Sequence, residues 1–383
     1  MERDDIFRKF HAEACIGCGR CTYACVAAQR YDGFSPRTVA ERGLSGRGGE
    51  KVTQLWSCTS CGACTQVCNV GVDFPQLIRG LRSLARRDEV PMAAHHGVLT
   101  AVGRLTSSPT LRPRSANWVT PDLQTDPHSH TMLFVGCVPY FDVALRYIRD
   151  DLLDIPRAAV RLLNAMGVRP RLDPSERCCG HDAYWAGDDA LFERLARENW
   201  QTARDAGVEE IVTFCPECAS VWRDLYPQVI GDTGIRVRTM AEVLAEAIAV
   251  GKLELVAGED VVTYHDPCRL SKGAGIVDQP RKVLRSLSEL REMPRSGLLS
   301  ACCGTSGWVD CDHTAKRVQV ERLQEAAATG SEVLVTACPK CLVHLSCADR
   351  HHASELSSRV RIEDICVLTA RRLHREPVSS TKE

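Results

Sequence analysis

The 383-residue chain has no surplus of either charge: 48 Lys and Arg stand against 49 Asp and Glu, a formal net charge of −1. That balance gives no electrostatic footprint for nucleic acid or an anionic membrane surface. No apolar run approaches the roughly 18 residues of a membrane-spanning helix. The opening MERDDIFRKFH lacks the apolar core of a secretory leader. The expected setting is therefore the reducing cytoplasm, with any membrane association made through a partner protein. No Gly-X-Gly-X-X-Gly fingerprint is present, so nothing points to a flavin or nicotinamide held by this chain itself. Cysteine, by contrast, is in excess, with 21 residues. In a reducing compartment clustered cysteines mean metal binding or catalysis more often than structural disulfides, and an odd number argues against a fully paired framework.

Eight cysteines form two runs, Cys15-X2-Cys18-X2-Cys21-X3-Cys25 and Cys58-X2-Cys61-X2-Cys64-X3-Cys68. This is the spacing of bacterial two-cluster ferredoxins, in which three thiolates of one loop and the fourth of the other hold each cubane [4Fe–4S] cluster. By that rule Cys15, Cys18, Cys21 and Cys68 form one ligand set, and Cys58, Cys61, Cys64 and Cys25 the other. Val26 and Asn69 stand where a proline is usual, which alters the turn and leaves the ligands unchanged. Zinc, which also favours tetrahedral thiolates, is the competing occupant. Between the runs, Gly43 to Gly49 reads as a loop. After them, FPQLIRGLRSLARR reads as a short helix with arginines on its outer face.

A cysteine-free stretch over 104–130, with Pro109, Pro113, Pro121 and Pro127, reads as a linker. Beyond it a five-cysteine pattern occurs twice: Cys137, Cys178-Cys179-Gly180, Cys215-X2-Cys218, then Cys268, Cys302-Cys303-Gly304, Cys338-X2-Cys341. The copies are offset by 131 residues at the single cysteine, 124 at the vicinal pair and 123 at the final pair, a signature of duplication. Short β-rich runs (TMLFVG, EIVTF, VVTYH, EVLVTA) lead toward Cys137, Cys215, Cys268 and Cys338. Helices are expected over 188–205, 240–250, 279–290 and 312–328, and on the apolar face of Ile155, Ala158, Ala159, Leu162, Leu163 and Met166. The expected fold is α+β and α/β. A helical two-cluster ferredoxin-like domain (1–103) and the linker precede two duplicated α/β cysteine-rich domains (131–256 and 257–383). Each carries a parallel or mixed sheet whose carboxyl edge gathers the cysteines. Five thiolates exceed the four that zinc or a cubane needs. Either the fifth is a small buried hydrophobe, or the vicinal pair holds neighbouring irons of an unusual cluster.

On these motifs the chain resembles heterodisulfide reductase and its relatives. Residues 1–100 are similar to the C component of that enzyme, including Ser35-Pro36-Arg37 and WSCTSCGACTQVC followed by GVDFPQLIRGLR. Residues 131–383 are similar to its B component, with Gly136-Cys137-Val138-Pro139, His265-Asp266-Pro267-Cys268 and both Cys-Cys-Gly motifs. The order, C then B in one chain, is similar to the fused D component. The resemblance implies a non-cubane [4Fe–4S] cluster on each five-cysteine set, one on Cys137, Cys178, Cys179, Cys215 and Cys218, the other on Cys268, Cys302, Cys303, Cys338 and Cys341. The two clusters would face one another and split a disulfide between them. Electrons would arrive through the cubane pair from a flavoprotein, either like the A component of heterodisulfide reductase or an electron-transferring flavoprotein, or from a membrane, hydrogenase or dehydrogenase partner. Quinone-linked relatives share the motifs, so the alternative is a non-catalytic electron-transfer protein between a flavoprotein dehydrogenase and quinone or another acceptor. A third reading places zinc in one five-cysteine site, the first with its longer gap.

Other residues receive simpler readings. Cys311, Cys347 and Cys366 lie outside the motifs and read as core or surface thiols. His181 and His265 flank ligand positions and read as hydrogen-bonded histidines able to tune potentials. Arg177, Arg269, Lys272 and Lys340 either offset anionic clusters or an anionic substrate, or form a solvated face. His351-His352 reads as polar helix surface.

Overall fold

A computed structural model describes residues 2–31, 33–44, 53–87, 97–111, 117–149, 151–309 and 311–374. Most of the glycine-rich stretch, part of the linker and the C-terminal tail lie outside these residues. Gly43 itself belongs to the helix Pro36–Leu44 and not to a loop.

The β-rich runs form strands followed by helices, as their composition implies. β1 (Thr131–Leu133), β2 (Glu210–Thr213) and β3 (Arg236–Thr239) make one sheet in the order β1-β2-β3. β4 (Val261–His265), β5 (Glu289–Leu290), β6 (Val333–Thr336) and β7 (Arg361–Asp364) make a second, ordered β5-β4-β6-β7. All pairings are parallel, with registers such as Met132↔Ile211 and Tyr264↔Val335. Strands β1, β2 and β3 therefore correspond in order to β4, β6 and β7, and β5 is an added edge. The duplication reaches the caps. Thr239 and Asp364, each ending the third strand of its copy, accept hydrogen bonds from the Glu242 and Cys366 amides and start the next helix.

Parallel strands are covered on both faces and so read as continuous apolar runs; Val333, Leu334, Val335 and Thr336 are all fully buried. The helix Asp154–Ala165 turns Ile155, Ala158, Ala159, Leu162 and Leu163 inward, each large aliphatic contributing about 1.5–3 kcal/mol on burial. It packs on the helix Ile365–Arg371 of the second copy, and the two sheets share one continuous core. Trp118 and Leu123, from the segment read as a linker, are buried in that core.

The N-terminal unit has its own smaller core, including Ile6, Phe7, Phe34, Phe74, Leu77 and Ile78. Its helix Phe74–Arg87 starts where Asp73 accepts from the Gln76 amide at 3.4 Å. Phe74, Leu77, Ile78 and Leu81 form its apolar stripe. The expectation of outward-facing arginines is corrected here, because Arg82 is fully buried and Arg79 largely so. The reason is that the helix's other face meets the first cysteine-rich unit instead of water. Gly187, at φ +74°, makes the close approach possible: a Cβ there would lie 2.5 Å from the Ser83 nitrogen. Ser83 Oγ donates to Asp189 at 2.6 Å and Arg86 pairs with Asp188 at 2.7 Å.

Candidate functional site

The two N-terminal runs fold as loops whose thiols cross over. Cys15, Cys18, Cys21 and Cys68 line one small cavity of about 30 Å³, together with Cys64, Pro36, Val72 and Phe74. Cys25 instead lies among Cys58 and Cys61, and Cys64 among Cys58, Cys61 and Cys25. Backbone amides point at the sulfurs: Ala28 N to Cys25 Sγ and Val72 N to Cys68 Sγ, each at 3.4 Å, and Ser60 N to Cys58 Sγ at 3.3 Å. Burial pushes the Cys25 and Cys64 thiols up, and neighbouring thiols add to it. Such a nest ionises only around a cation, and thiolates around thiophilic metal satisfy it.

The ten cysteines of the repeats form one hydrogen-bonded series of thiols: Cys137, Cys215, Cys268 and Cys338 come just after strand carboxyl ends, and the vicinal pairs come from the segments that lead into the helices His181–Trp185 and His313–Ala327. In the first copy Cys178 contacts Cys137 and Cys179, Cys179 contacts Cys218, and Cys218 contacts Cys215. In the second, Cys302 contacts Cys268 and Cys303, Cys303 contacts Cys341, and Cys341 contacts Cys338. No fifth thiol stands apart in either set. The copies meet at Cys215 and Cys338, and Cys61 of the N-terminal unit meets Cys302. All 21 cysteines are free. Hydrogen bonds from adjacent thiols lower Cys178, Cys215 and Cys303, whereas the thiols that donate those bonds are held up. Ten contacting thiols without a disulfide suit sulfur-bridged iron. Gly304, at φ +89°, brings the vicinal pair onto the following helix, where a Cβ would meet Ala315 O at 3.0 Å.

Between the copies lies a narrow crevice of about 20 Å³, lined by the second-copy thiols Cys268, Cys302, Cys303, Cys338 and Cys341 with Glu217, Lys340, Arg269 and Trp308. Glu217 and Lys340 occupy the same position of Cys-Pro-X-Cys in the two copies, and they pair across the crevice at 2.7 Å. Lys340 also binds Asp182. Arg269 Nε donates to His181 Nε2 at 3.0 Å, so the His181 proton sits on Nδ1, facing Asp182 Oδ1 at 3.1 Å and Glu217 Oε2 at 3.3 Å. Burial drives His181 down to about 3 and keeps it neutral. Arg322 Nε donates to His265 Nδ1 at 3.0 Å; the other ring nitrogen then carries the proton, and His265 shares a hydrogen bond with Cys303. Arg269, Lys272 and Lys340 are all buried, which removes the solvated-face reading for them. Lys272 Nζ holds Ser300 O at 2.8 Å, and Arg177 holds Thr106 O at 2.6 Å.

Sequence reasoning missed Arg82, Trp308 and Glu176. Glu176 accepts the Val135 and Gly136 amides just before Cys137 and so orients that loop. Cys311 and Cys347 take hydrogen bonds from Gln319 at 3.6 Å and Lys316 at 3.1 Å, and Cys366 is a core thiol. None of the three joins the thiol series. His351 is exposed at the end of its helix, as expected, whereas His352 lies just beyond the helix, half-buried and paired with Glu355 at 2.6 Å.

Comparison with known proteins gives two family matches: a 4Fe-4S dicluster domain over residues 11–72 and a cysteine-rich domain (CCG) over 132–222 and again over 262–346. Among curated proteins, the D component of the dihydromethanophenazine:CoB–CoM heterodisulfide reductase of Methanosarcina barkeri is 27% identical, covering 94% of this chain and 94% of that protein. The EtfAB:quinone oxidoreductase of Syntrophomonas wolfei is 29% identical over 81% of this chain and 45% of its own length. The B component of the fumarate reductase (CoM/CoB) of Methanothermobacter marburgensis is 26% identical over 86% of this chain and 67% of its own length.

Proposed function

We propose that this chain, which belongs with the heterodisulfide reductase D-type iron–sulfur proteins that join a 4Fe-4S dicluster domain to paired cysteine-rich domains, uses its two cysteine-rich units to exchange electrons with a disulfide. It is an iron–sulfur electron-transfer protein of the oxidoreductase class, homologous to components of heterodisulfide reductase and fumarate reductase. Among the described residues no helix is long and apolar enough to cross a membrane.

In this reading Cys15, Cys18, Cys21 and Cys68 hold one cubane, and Cys25, Cys58, Cys61 and Cys64 the second. Each five-cysteine set holds a non-cubane cluster. The domains divide at 1–103, 131–256 and 257–383, and 104–130 is a connector laid on the first cysteine-rich unit. Iron–sulfur centres supply electrons one at a time. Cleaving a disulfide takes two electrons and two protons and yields two thiols, so two one-electron centres, one in each copy, match its stoichiometry. The chain's own residues give that crevice its form. Cys61 beside Cys302 joins the second cubane site to the second copy, and Cys338 beside Cys215 joins that copy to the first. The Lys340–Glu217 pair closes the crevice, and Arg269 stacks on Trp185 at 3.9 Å along its wall. A flavoprotein, as the likeness to the EtfAB:quinone oxidoreductase suggests, delivers or collects electrons at the exposed Cys18.

The observation that carries this reading is the unbroken thiol series across the two copies. Its test is electron paramagnetic resonance on the anaerobically purified chain, poised with reductant, with and without small thiols. The cubane signals should stay as they are, while a signal from the repeat clusters changes on adding thiol. Signals that all titrate and ignore thiols and disulfides would assign the chain to relay alone, between a flavoprotein and quinone or another acceptor.

A further inference from the structure

We propose that Arg82 is an internal counterion that raises the reduction potential of the cubane held by Cys25, Cys58, Cys61 and Cys64. The proposal rests on the cluster reading above and assigns one arginine to one cluster.

Arg82 is fully buried, and every partner of its guanidinium is neutral. Nε and Nη2 donate to Leu55 O at 3.0 and 2.6 Å, Nη2 to Cys58 O at 2.5 Å, and Nη1 to Ser60 Oγ at 3.2 Å and Trp185 O at 2.9 Å. The Trp56 and Trp308 rings flank it at 5.4 and 5.3 Å. Among the described residues no carboxylate forms an ion pair with it. A guanidinium does not shed its proton, and a buried charge without an opposite charge is strongly destabilising. The anion it faces is in the loop it grips. Cys58 lies within reach of its field, and Ser60, at φ +53°, is held so that its amide meets the Cys58 sulfur. Trp308 Nε1, from the second cysteine-rich unit, donates to the same Cys58 carbonyl at 2.9 Å.

Reducing a cluster adds one negative charge. A fixed positive charge in a dry, low-dielectric setting favours that reduced form and raises the potential. The arginines by the other cubane act through solvent, since Arg37 pairs with Glu41 at 3.2 Å and both are about half exposed. Buried Lys272, whose field reaches Cys61, adds to this charge, and Arg82 favours electrons on the cubane that touches Cys302. It is also a positioning residue for the Cys58 loop, so its test needs a readout that separates charge from shape.

That readout is an anaerobic redox titration of the full chain followed by paramagnetic resonance. The surface cubane is identified by its broadening with a soluble paramagnet, since Cys18 is exposed. In Arg82→Gln the reduced-to-oxidised ratio of the inner cubane at the wild-type midpoint should fall about tenfold, ~59 mV for a one-electron couple, with the surface cubane unmoved. Arg82→Lys should keep most of the wild-type value. Trp308→Phe removes the other donor to Cys58 O without touching charge and should shift the midpoint less than Arg82→Gln does. If Arg82→Gln does not retain the inner cluster, the wild-type chain decides the matter. An internal counterion leaves the inner midpoint nearly insensitive to ionic strength, while the surface midpoint moves. The proposal is overturned by an inner midpoint unchanged in Arg82→Gln, by a Trp308→Phe shift as large as that of Arg82→Gln, or by equal salt sensitivity of both cubanes. A wild-type chain without two cubane signals would sink the cluster reading itself.

Discussion

Replacing Cys178 and Cys179 together by alanine should remove about four irons per chain and abolish the thiol-sensitive signal, with both cubane signals intact. The two residues belong to the first set, and their thiol contacts run to Cys137 and Cys218. Neither reaches the dicluster loops, so the loss stays local and the second set remains reducible through the cubanes. The matching change at Cys302 and Cys303 should also cost about four irons, but with a different consequence. Cys302 is the thiol that meets Cys61, and among the described residues no first-set thiol touches a dicluster thiol. Removing it strands the first set, whose reduction through the cubanes becomes slow even though its own ligands are intact. Iron analysis with rapid-freeze spectroscopy after adding reductant separates the two variants. Equal kinetics in both would remove the second copy from the electron route.

Lys340→Met should be the most destabilising charge change in the crevice, at about 3–5 kcal/mol. The side chain is buried against both Glu217, at 2.7 Å, and Asp182. Without it two carboxylates face each other in a dry site. Burial already pushes Glu217 up to about 8, with Lys340 pulling the other way; without that pull the carboxyl moves further toward its neutral form. Changing Asp182 to Asn and Glu217 to Gln in the Lys340→Met background should recover part of the loss, since no carboxylate is left facing another, while the buried Arg269 keeps its charge. Urea denaturation of the anaerobically purified chain gives the comparison. A single mutant as stable as wild type, or a triple mutant no better than the single, would show that the pair does not stabilise the join between copies.

Much of this was legible in the cysteine spacing. The X2-X2-X3 runs announced two loops that set Cys68 beside Cys15, Cys18 and Cys21, and the two repeats announced duplicated parallel sheets. Both are local rules, set by how far consecutive side chains reach. Arg82 was misplaced because a helical wheel has no knowledge of a second partner. The apolar stripe claimed one face, and the rest was assigned to water. The signal was its position four residues after Ile78, on the flank of that stripe, where a solvated arginine is a poor fit. The crevice charges had a clearer sign. Glu217 and Lys340 stand at matching positions of Cys-Pro-X-Cys with opposite charge, and two copies packed face to face bring matching positions together. Proline-rich composition likewise suggested a free connector over 104–130, yet Trp118 and Leu123 insert into the main core, because burying a large apolar side chain outweighs the local preference for irregular backbone.

The central claim is that both five-cysteine sets hold iron. Metal and acid-labile sulfide analysis of the anaerobically purified chain tests it most directly. Four clusters predict about sixteen irons per chain, a comparable amount of sulfide and no zinc. About eight irons, with zinc or no metal in the cysteine-rich units, would contradict it.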